Sequence, residues 1–269
     1  MSLLEAILLG IVQGLTEFLP VSSSGHLELA KALLGNDLGG SESMLFTIAL
    51  HAATALSTML VFRKDILQLL TGLLAFKWND ETRFTTAILV SMIPVFIVGM
   101  AFRDEIETLF EGNLMIVGVS LLATAALLFA SSRIGKVNEG GEVSLGLALV
   151  IGISQAIAIL PGLSRSGATI STALMVGVSR EKAARFSFLM VLPVIIGAML
   201  LEIKDFAETQ PERTVGNTAL IAGFLAAFVA GVFACRLMIA IVKKSKLDYF
   251  AYYCVAVGIL AIVAASFAV

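Results

Sequence analysis

The sequence predicts an all-α integral membrane protein, one polytopic domain over residues 1–269 built from two inverted repeats, 1–140 and 141–269. Composition and a repeated pattern of apolar segments both lead to this prediction. Hydrophobic residues make up 58% of the chain, charged residues 14%, and the mean hydropathy is +0.98. Soluble domains average about 45–50% apolar and about 25% charged residues. Such an apolar chain is typical of a polytopic membrane protein.

Six uninterrupted apolar runs are each long enough to cross a bilayer as a helix, which takes about 20 residues. These runs cover residues 44–62, 84–102, 112–132, 186–204, 217–242 and 249–268. The sequence therefore predicts six transmembrane helices.

Two further apolar stretches, residues 2–35 and 144–178, are interrupted near their middle by polar patches that contain proline and glycine. The first patch reads FLPVSSSGH and the second LPGLSRSGAT. Each half of such a stretch is too short to span the membrane. We expect two re-entrant helical hairpins with the patches at their tips, because irregular backbone at membrane depth must be buried in protein or line a wet cavity.

The two interrupted stretches are copies of one pattern, related by an ungapped shift of 142 residues. The identical pairs are Ser2 and Ser144, Leu3 and Leu145, Ala6 and Ala148, Gly10 and Gly152, Ile11 and Ile153, Gln13 and Gln155, Ser22 and Ser164, Ser24 and Ser166, Gly25 and Gly167, and Gly35 and Gly177. Chance similarity between apolar helices does not favour paired glutamines and an ungapped SxSG, so the sequence indicates an internal repeat.

The distribution of lysine and arginine gives the orientation, because these residues prefer cytoplasmic connections. Four connections, 63–83, 133–143, 179–185 and 243–248, hold Arg63, Lys64, Lys77, Arg83, Arg133, Lys136, Arg180, Lys182, Arg185, Lys243, Lys244 and Lys246. The other connections, 36–43, 103–111 and 205–216, hold only Arg103 and Arg213, with Lys204 at the edge of a span. Both termini are therefore expected on the periplasmic side. Three spans separate the copies, which predicts opposite orientations and tips that meet near the midplane.

Several function classes are disfavoured by what the chain lacks. The formal net charge is −2 and no basic cluster occurs, so nucleic acid is not an expected partner. Cys235 and Cys254 lie inside apolar runs without metal or redox spacing, and are expected to be buried free thiols. The first residues lack a basic region and carry Glu5, so they are expected to belong to the mature fold.

The serines of both tips are expected to cap the returning half-helices, as SSSG in the first copy and SRSG in the second. Two opposed helix N-termini with serine hydroxyls favour an anion. Arg165 lies in the second tip, and an arginine at membrane depth needs an anionic partner. Its planar fork matches a phosphate group.

The tips differ at three matched positions. The first tip carries Glu17, Ser23 and His26, where the second carries Ile159, Arg165 and Ala168. A serine, a histidine and a carboxylate within ten residues suit nucleophilic or general acid-base attack on phosphorus. Structural roles stay open as alternatives: an N-cap for Ser23, a packing role for His26, and a purely structural role for Glu17.

These motifs resemble those of the bacterial undecaprenyl-diphosphatase family, integral membrane enzymes linked to bacitracin resistance. The resemblance is carried by QGLTEFLPVSSSGH at 13–26 and PGLSRSGATI at 161–170, and length and span pattern also match throughout. It implies hydrolysis of undecaprenyl diphosphate to undecaprenyl phosphate and inorganic phosphate. That reaction recycles the lipid carrier of peptidoglycan and other cell-wall polymers, at the periplasmic face of the bacterial inner membrane.

The resemblance also implies roles for individual residues. The expected catalytic residues are Glu17, Ser23, His26 and Arg165, and the expected substrate-binding residues are Gln13, Ser22, Ser24, Ser164, Ser166 and Thr169. The family uses a divalent cation, Mg2+ or Ca2+, for which Glu17 is the expected ligand with Gln13 nearby. Some members have a carboxylate where this chain has Gln13, so direct coordination rests chiefly on Glu17 and the substrate phosphates.

The sequence leaves two nucleophiles open. In the first hypothesis Ser23 attacks the terminal phosphorus, Glu17 is the base, and His26 donates a proton or stabilises the transition state. In the second hypothesis His26 is the nucleophile. His51, inside the span 44–62, is expected to line the core or a cavity rather than to react.

Other functions are weighed against the same residues. Inverted repeats with half-helix ends also suit a transporter or flippase of polyprenyl phosphates. A second superfamily of lipid phosphatases needs two histidines, but no histidine follows Ser164 and Arg165 here. The sequence is compatible with a homo-oligomer and fixes no oligomeric state.

Overall fold

A computed structural model describes residues 1–34, 40–109, 113–133, 141–209, 215–244 and 246–267, and these ranges contain helices and no strand. The helices are α1 (Leu3–Phe18), α2 (Ser23–Leu34), α3 (Gly40–Val61), α4 (Arg63–Leu74), α5 (Asp80–Ala101), α6 (Arg103–Leu109), α7 (Leu114–Arg133), α8 (Leu145–Ile157), α9 (Arg165–Met175), α10 (Arg180–Thr209), α11 (Asn217–Lys243) and α12 (Asp248–Phe267). The predicted all-α class is confirmed.

Helices α5, α7, α10, α11 and α12 are each long and apolar enough to cross a membrane. The sixth predicted span corresponds to α3, which passes the same test together with α4 as a pair bent by 76°. The chain is therefore a multi-pass membrane protein. Lys136 and Arg213, which entered the orientation argument, lie outside the described residues, as does the first half of the connection 36–43. The orientation of the helices in a bilayer stays a prediction.

The connection predicted at residues 63–83 contains a helix, α4, and the connection at 103–111 contains the short helix α6. In α4, the charged residues Arg63, Lys64 and Asp65 form the first turn, and Leu69 of the apolar part that follows is buried. An amphipathic helix of this kind is too polar and too short to register as a span. The sequence reading therefore treated it as part of a loop.

Two pairs of short helices occupy the interrupted stretches, where hairpins were predicted. Helices α1 and α2 pack against each other across the break at 19–22, and α8 and α9 pack across the break at 158–164. The first helix of each pair packs against a long helix of the other half: α1 packs along α11, and α8 packs along α5.

Small residues allow the helices to approach closely at equivalent points of the two halves. A Cβ atom at Gly10 would lie 2.3 Å from the carbonyl oxygen of Gly223 on α11. At the matched Gly152, it would lie 2.3 Å from the carbonyl oxygen of Ser91 on α5. The shared glycine of the repeat therefore has one structural cause in both copies, a backbone contact that leaves no room for a side chain.

The last helices of the two halves, α7 and α12, cross at another pair of glycines. A Cβ atom at Gly118 would meet the carbonyl oxygen of Gly258 at 2.8 Å, and one at Gly258 would meet that of Gly118 at 2.9 Å. Such a reciprocal contact supports a repeat, while the division at residue 140 and the inverted orientation stay predictions.

Aromatic packing fixes the end of α1, which carries the first tip. The ring of Phe18 lies 5.9 Å from that of Phe188 on α10, and the ring of Phe62 lies 6.0 Å from Phe188. All three rings are buried. The two cysteines, Cys235 and Cys254, are buried free thiols, as predicted.

Candidate active site

The two tips begin their returning helices in the same way. The hydroxyl of Ser22 accepts a hydrogen bond from the Gly25 N–H at 3.2 Å, and the hydroxyl of Ser164 accepts one from the Gly167 N–H at 3.1 Å. These serines are the N-caps of α2 and α9, because each satisfies an otherwise unpaired N–H of the first turn. In both tips the capping oxygen also lies 3.3 Å from a second hydroxyl, that of Ser24 or of Ser166.

The second hydroxyls connect one tip to the other. The Ser24 hydroxyl accepts a hydrogen bond from the Gly162 N–H at 3.4 Å, and the Ser166 hydroxyl donates to the Leu19 carbonyl at 3.2 Å. The predicted convergence of the tips is therefore confirmed. We call the contacts of Ser24 with Gly162 and of Ser166 with Leu19 the serine clasp.

Glu17, at the end of α1, connects the chemically distinct groups of the two tips. One of its oxygens accepts a 2.6 Å hydrogen bond from Nη2 of Arg165. The other oxygen accepts from the hydroxyl of Ser23 at 2.7 Å and from Nε2 of Gln13 at 3.1 Å. The Arg165 and Glu17 side chains are only 16% and 9% exposed, so this is a largely buried ion pair. His51 lies on α3, and the cavity-lining role expected of it stays a prediction.

The ion pair gives Arg165 a partner that the sequence argument did not assign. An arginine at this depth needs an anion, and Glu17 supplies one within the protein itself. The capping assignment also separates the serines: Ser22 makes the cap, so the Ser23 hydroxyl is left to bind Glu17. The alternative of Ser23 as an N-cap is wrong.

Thr169 and Ser187, both buried, contact the backbone and the guanidinium of Arg165. Thr169 is fully buried, donates to the Arg165 carbonyl at 2.9 Å, and lies 2.6 Å from the hydroxyl of Ser187 on α10. The Ser187 carbonyl in turn lies 3.5 Å from Nη1 of Arg165. Thr169 thus contacts the backbone of Arg165 and connects it to Ser187. Sequence reasoning missed Ser187, which lies in an apolar span without any motif.

Both ring nitrogens of His26 are engaged by groups other than the Glu17 carboxylate. Nδ1 lies 2.8 Å from the Ser22 carbonyl oxygen, and Nε2 lies 2.8 Å from the hydroxyl of Tyr253 on α12. A carbonyl oxygen only accepts, so Nδ1 carries the hydrogen and the neutral ring presents its lone pair at Nε2. Tyr253 was missed by the sequence analysis, since a tyrosine in an apolar span carries no signal.

Ser22 adopts an unusual backbone conformation, with φ of +71°. A non-glycine residue in the left-handed region is uncommon and costs about 1–3 kcal/mol, so the surrounding contacts must hold it. Here the Ser22 carbonyl accepts from both the backbone N–H and Nδ1 of His26. The strained turn is therefore what aims the imidazole.

The two matched glutamines have different surroundings. Gln13 is buried and donates to Glu17, which leaves its Oε1 without a partner among the described residues. Gln155 is also buried, and neither of its amide atoms has a partner there. Gln13 Oε1 is an oxygen ligand beside a single carboxylate, that of Glu17. Two such groups suit Mg2+ or Ca2+ when substrate phosphates supply further ligands. The described residues contain no cluster of three or more His, Cys, Asp or Glu side chains that would bind a metal ion.

Chemically, the site combines a hydroxyl, a carboxylate within hydrogen-bond distance of it, and a guanidinium that binds the same carboxylate. That combination suits attack of the hydroxyl on an anionic group, with the carboxylate as base and the guanidinium as clamp.

Comparison with known proteins gives full-length matches. A family model described as "Bacitracin resistance protein BacA" matches residues 6–260. A Christiangramia forsetii protein named undecaprenyl-diphosphatase is 53% identical over 264 residues, 98% of both chains. Two proteins with the same name come from Bacteroides thetaiotaomicron, 50% identical over 98% of this chain and 99% of its own, and Bacteroides fragilis, 50% identical over 96% and 97%.

Proposed function

This chain belongs to the bacitracin resistance protein BacA family, and on that premise we propose that it is an undecaprenyl-diphosphate phosphatase. The reaction hydrolyses undecaprenyl diphosphate to undecaprenyl phosphate and inorganic phosphate. It recycles the lipid carrier of cell-wall synthesis, in keeping with the bacitracin resistance in the family's description.

The observation that carries this proposal is the position of Glu17 between Ser23 and Arg165. Its carboxylate accepts from the serine hydroxyl at 2.7 Å and from the guanidinium at 2.6 Å. A nucleophile and an anion clamp, drawn from two sequence-distant tips, are thus each within hydrogen-bond distance of the same base. Phosphoryl transfer depends chiefly on such positioning and on electrostatic stabilisation.

In the mechanism we propose, Ser23 Oγ attacks the terminal phosphorus while Glu17 takes the hydroxyl proton. The new bond is Oγ–P, the broken bond is the bridging P–O of the diphosphate, and undecaprenyl phosphate leaves with the bonding electrons. Water then attacks the phosphorus of the phosphoserine and the Oγ–P bond breaks. Glu17 returns its proton to Ser23 Oγ, and the oxygen and protons of the water leave with inorganic phosphate. Arg165 exchanges part of its contact with Glu17 for the phosphate oxygens and neutralises their charge.

The contacts of His26 favour Ser23 over His26 as nucleophile. Only one lone pair of the neutral imidazole is available for attack, at Nε2, and it lies against the Tyr253 hydroxyl. A serine hydroxyl needs a base to become a good nucleophile, and the Ser23 hydroxyl already donates to the Glu17 carboxylate. We assign His26 to stabilising the charge of the transition state.

Ser22, Ser24, Ser164 and Ser166 build the tips through their caps and the serine clasp, and Thr169 supports Arg165. We propose that the substrate phosphates accept hydrogen bonds from N–H groups and hydroxyls of the two tips, and that the caps and the serine clasp stay intact. A divalent cation, Mg2+ or Ca2+, would be held by Glu17 and Gln13 Oε1 together with the phosphates. Such an ion would neutralise phosphate charge.

The proposed location is the bacterial inner membrane, with the site open to the periplasmic side. Support comes from the lysines and arginines of the connections, almost all of which lie in the connections predicted to face the cytoplasm. The prenyl tail of the substrate stays in the lipid.

Phosphate release tests the proposed site. Purified protein in detergent should release inorganic phosphate from a prenyl diphosphate, and Glu17→Ala and Arg165→Ala should each lower the rate by about a hundredfold to a thousandfold. Arg236→Ala, which removes an exposed arginine of α11, is the matched control and should retain the rate. Release that is unaffected by both Glu17→Ala and Arg165→Ala would refute the site.

A buried ion pair complicates this test, since removal of one charge leaves the other unpaired. Arg165→Ala alone should lower the free energy of unfolding by about 3–5 kcal/mol. The double variant Glu17→Gln/Arg165→Met should recover most of that stability and remain inactive. Thermal unfolding in detergent separates loss of fold from loss of chemistry.

Trapping the intermediate distinguishes the two nucleophiles. A brief reaction with a 32P-labelled substrate, quenched in acid, should leave acid-stable phosphoserine at Ser23. An acid-labile label that survives Ser23→Ala and disappears in His26→Asn would instead identify His26 as the nucleophile.

A further inference from the structure

The contact between Tyr253 and His26 joins the last helix of the chain to the first tip. Tyr253 lies on α12, 227 residues away in sequence, and its hydroxyl is 2.8 Å from Nε2 of His26. The two ring planes differ by only 12°, with centroids 5.6 Å apart. Tyr253 is 45% exposed, so this hydroxyl lies at the rim of the site.

A phenol hydroxyl can both donate and accept a hydrogen bond. It donates to the lone pair of a neutral imidazole, and it accepts from the N–H of an imidazolium. The Ser22 carbonyl on the other side only accepts, and Nδ1 carries a hydrogen in both states. The pair of partners therefore satisfies the ring whether or not Nε2 is protonated.

We propose that Tyr253 is a positioning residue for the phosphatase reaction, holding Nε2 of His26 through both protonation states of the ring. The proposal rests on the function proposed above. Tyr253 holds the imidazole in one orientation beside the first tip. Partners that orient a functional histidine through its second nitrogen are a general device, since they fix both tautomer and ring angle.

Two features of the chain make the contact measurable. There are only two histidines, so 15N-histidine labelling gives ring signals from His26 and His51 alone, and His51→Asn assigns them. Tyr252 is the matched control, since it neighbours Tyr253 on α12, is more exposed and packs its ring against Phe129 instead.

The first experiment uses 15N NMR of the full chain in lipid or detergent, and needs no activity. In Tyr253→Phe, the Nε2 resonance of His26 should move downfield, towards that of a free lone pair, while the His51 signals stay. Tyr252→Phe should leave all ring signals in place. If Tyr253→Phe leaves the His26 resonances unchanged, the contact is absent and the proposal is overturned.

The second experiment measures kcat and KM on a prenyl diphosphate. Tyr253→Phe should lower kcat by about tenfold, the effect of losing one hydrogen bond, with KM unchanged. Tyr252→Phe should change neither constant. A shifted resonance with an unchanged kcat would also overturn the proposal, because the bond would then be structural only.

The two failures are distinguishable. If Glu17→Ala and Arg165→Ala retain full activity, the proposed function of the site fails, whatever the resonance of His26 shows. If those variants are inactive and Tyr253→Phe is normal in both experiments, only the role of Tyr253 fails.

Discussion

The two hairpin tips are alike in what builds them and different in what they present. Ser22 and Ser164 cap their helices with nearly equal distances, 3.2 and 3.1 Å, and each lies 3.3 Å from a second serine hydroxyl. At the matched positions 17 and 159, however, one tip has glutamate and the other isoleucine. The comparison teaches that the shared residues of the repeat specify the hairpin, while the residues that differ supply the chemistry.

The largest expected effect of breaking this comparison lies at Ser23, whose counterpart in the second tip is Arg165. Ser23→Ala removes the proposed nucleophile and should lower phosphate release by about a thousandfold or more, as losses of nucleophilic serines do. Its unfolding temperature should change little, because Ser23 caps no helix. Ser132→Ala, which removes a hydroxyl that donates to the Phe129 carbonyl, is the control and should keep full activity.

A Ser23→Ala variant that retains most of its activity would exclude Ser23 as the nucleophile. His26, the other candidate of the first tip, would then take that role.

An intermediate effect is expected from the matched glutamines. Gln13→Leu removes a hydrogen bond to Glu17 and should lower the rate by about tenfold. Gln155→Leu removes two buried amide atoms without partners among the described residues, and should leave stability unchanged or raise it. The measurements are initial rates and unfolding temperatures for both variants in the same detergent.

If Gln155→Leu were the more damaging of the two for the rate, Gln155 would have a function that its position in the second tip does not suggest.

The smallest effects are expected at the caps, where the tips are most alike. Ser22→Ala and Ser164→Ala should each cost about 1 kcal/mol of stability. The backbone distinguishes them, since φ is +71° at Ser22 and −73° at Ser164. Glycine tolerates positive φ, so the advantage of glycine over alanine should be larger at position 22 than at 164. Equal differences in unfolding temperature at the two positions would count against the strained turn at Ser22.

Much of this arrangement was predictable because it is encoded locally. The break in each apolar stretch, the serine caps and the matched glycines follow from residue types at fixed spacing. Most spans have nearly the predicted bounds, but α10 (Arg180–Thr209) extends beyond its predicted span, 186–204, at both ends and includes most of the predicted connection 179–185. The pairing of the tips followed from the repeat. Helix α4 escaped prediction because an amphipathic helix resembles a polar loop in a search for spans.

The rest depends on packing between distant helices. The contact of His26 with Tyr253 and the support of Arg165 by Ser187 join residues whose sequence neighbours are ordinary apolar span. A single tyrosine or serine in such a span is equally consistent with a lipid-facing position. The Glu17 and Arg165 pair shows the same limit, since charge at membrane depth predicts that a partner exists and not which one it is.

The serine clasp bears on how far the two halves can move apart. A carrier that works by rocking has to part its two halves at the midpoint on every cycle. In this protein, separating the halves would break the hydrogen bonds of Ser24 with Gly162 and of Ser166 with Leu19. It would also break the ion pair of Arg165 with Glu17. We therefore expect the two tips to stay together during the reaction, and a lipid head group to enter and leave the site on one side of the membrane.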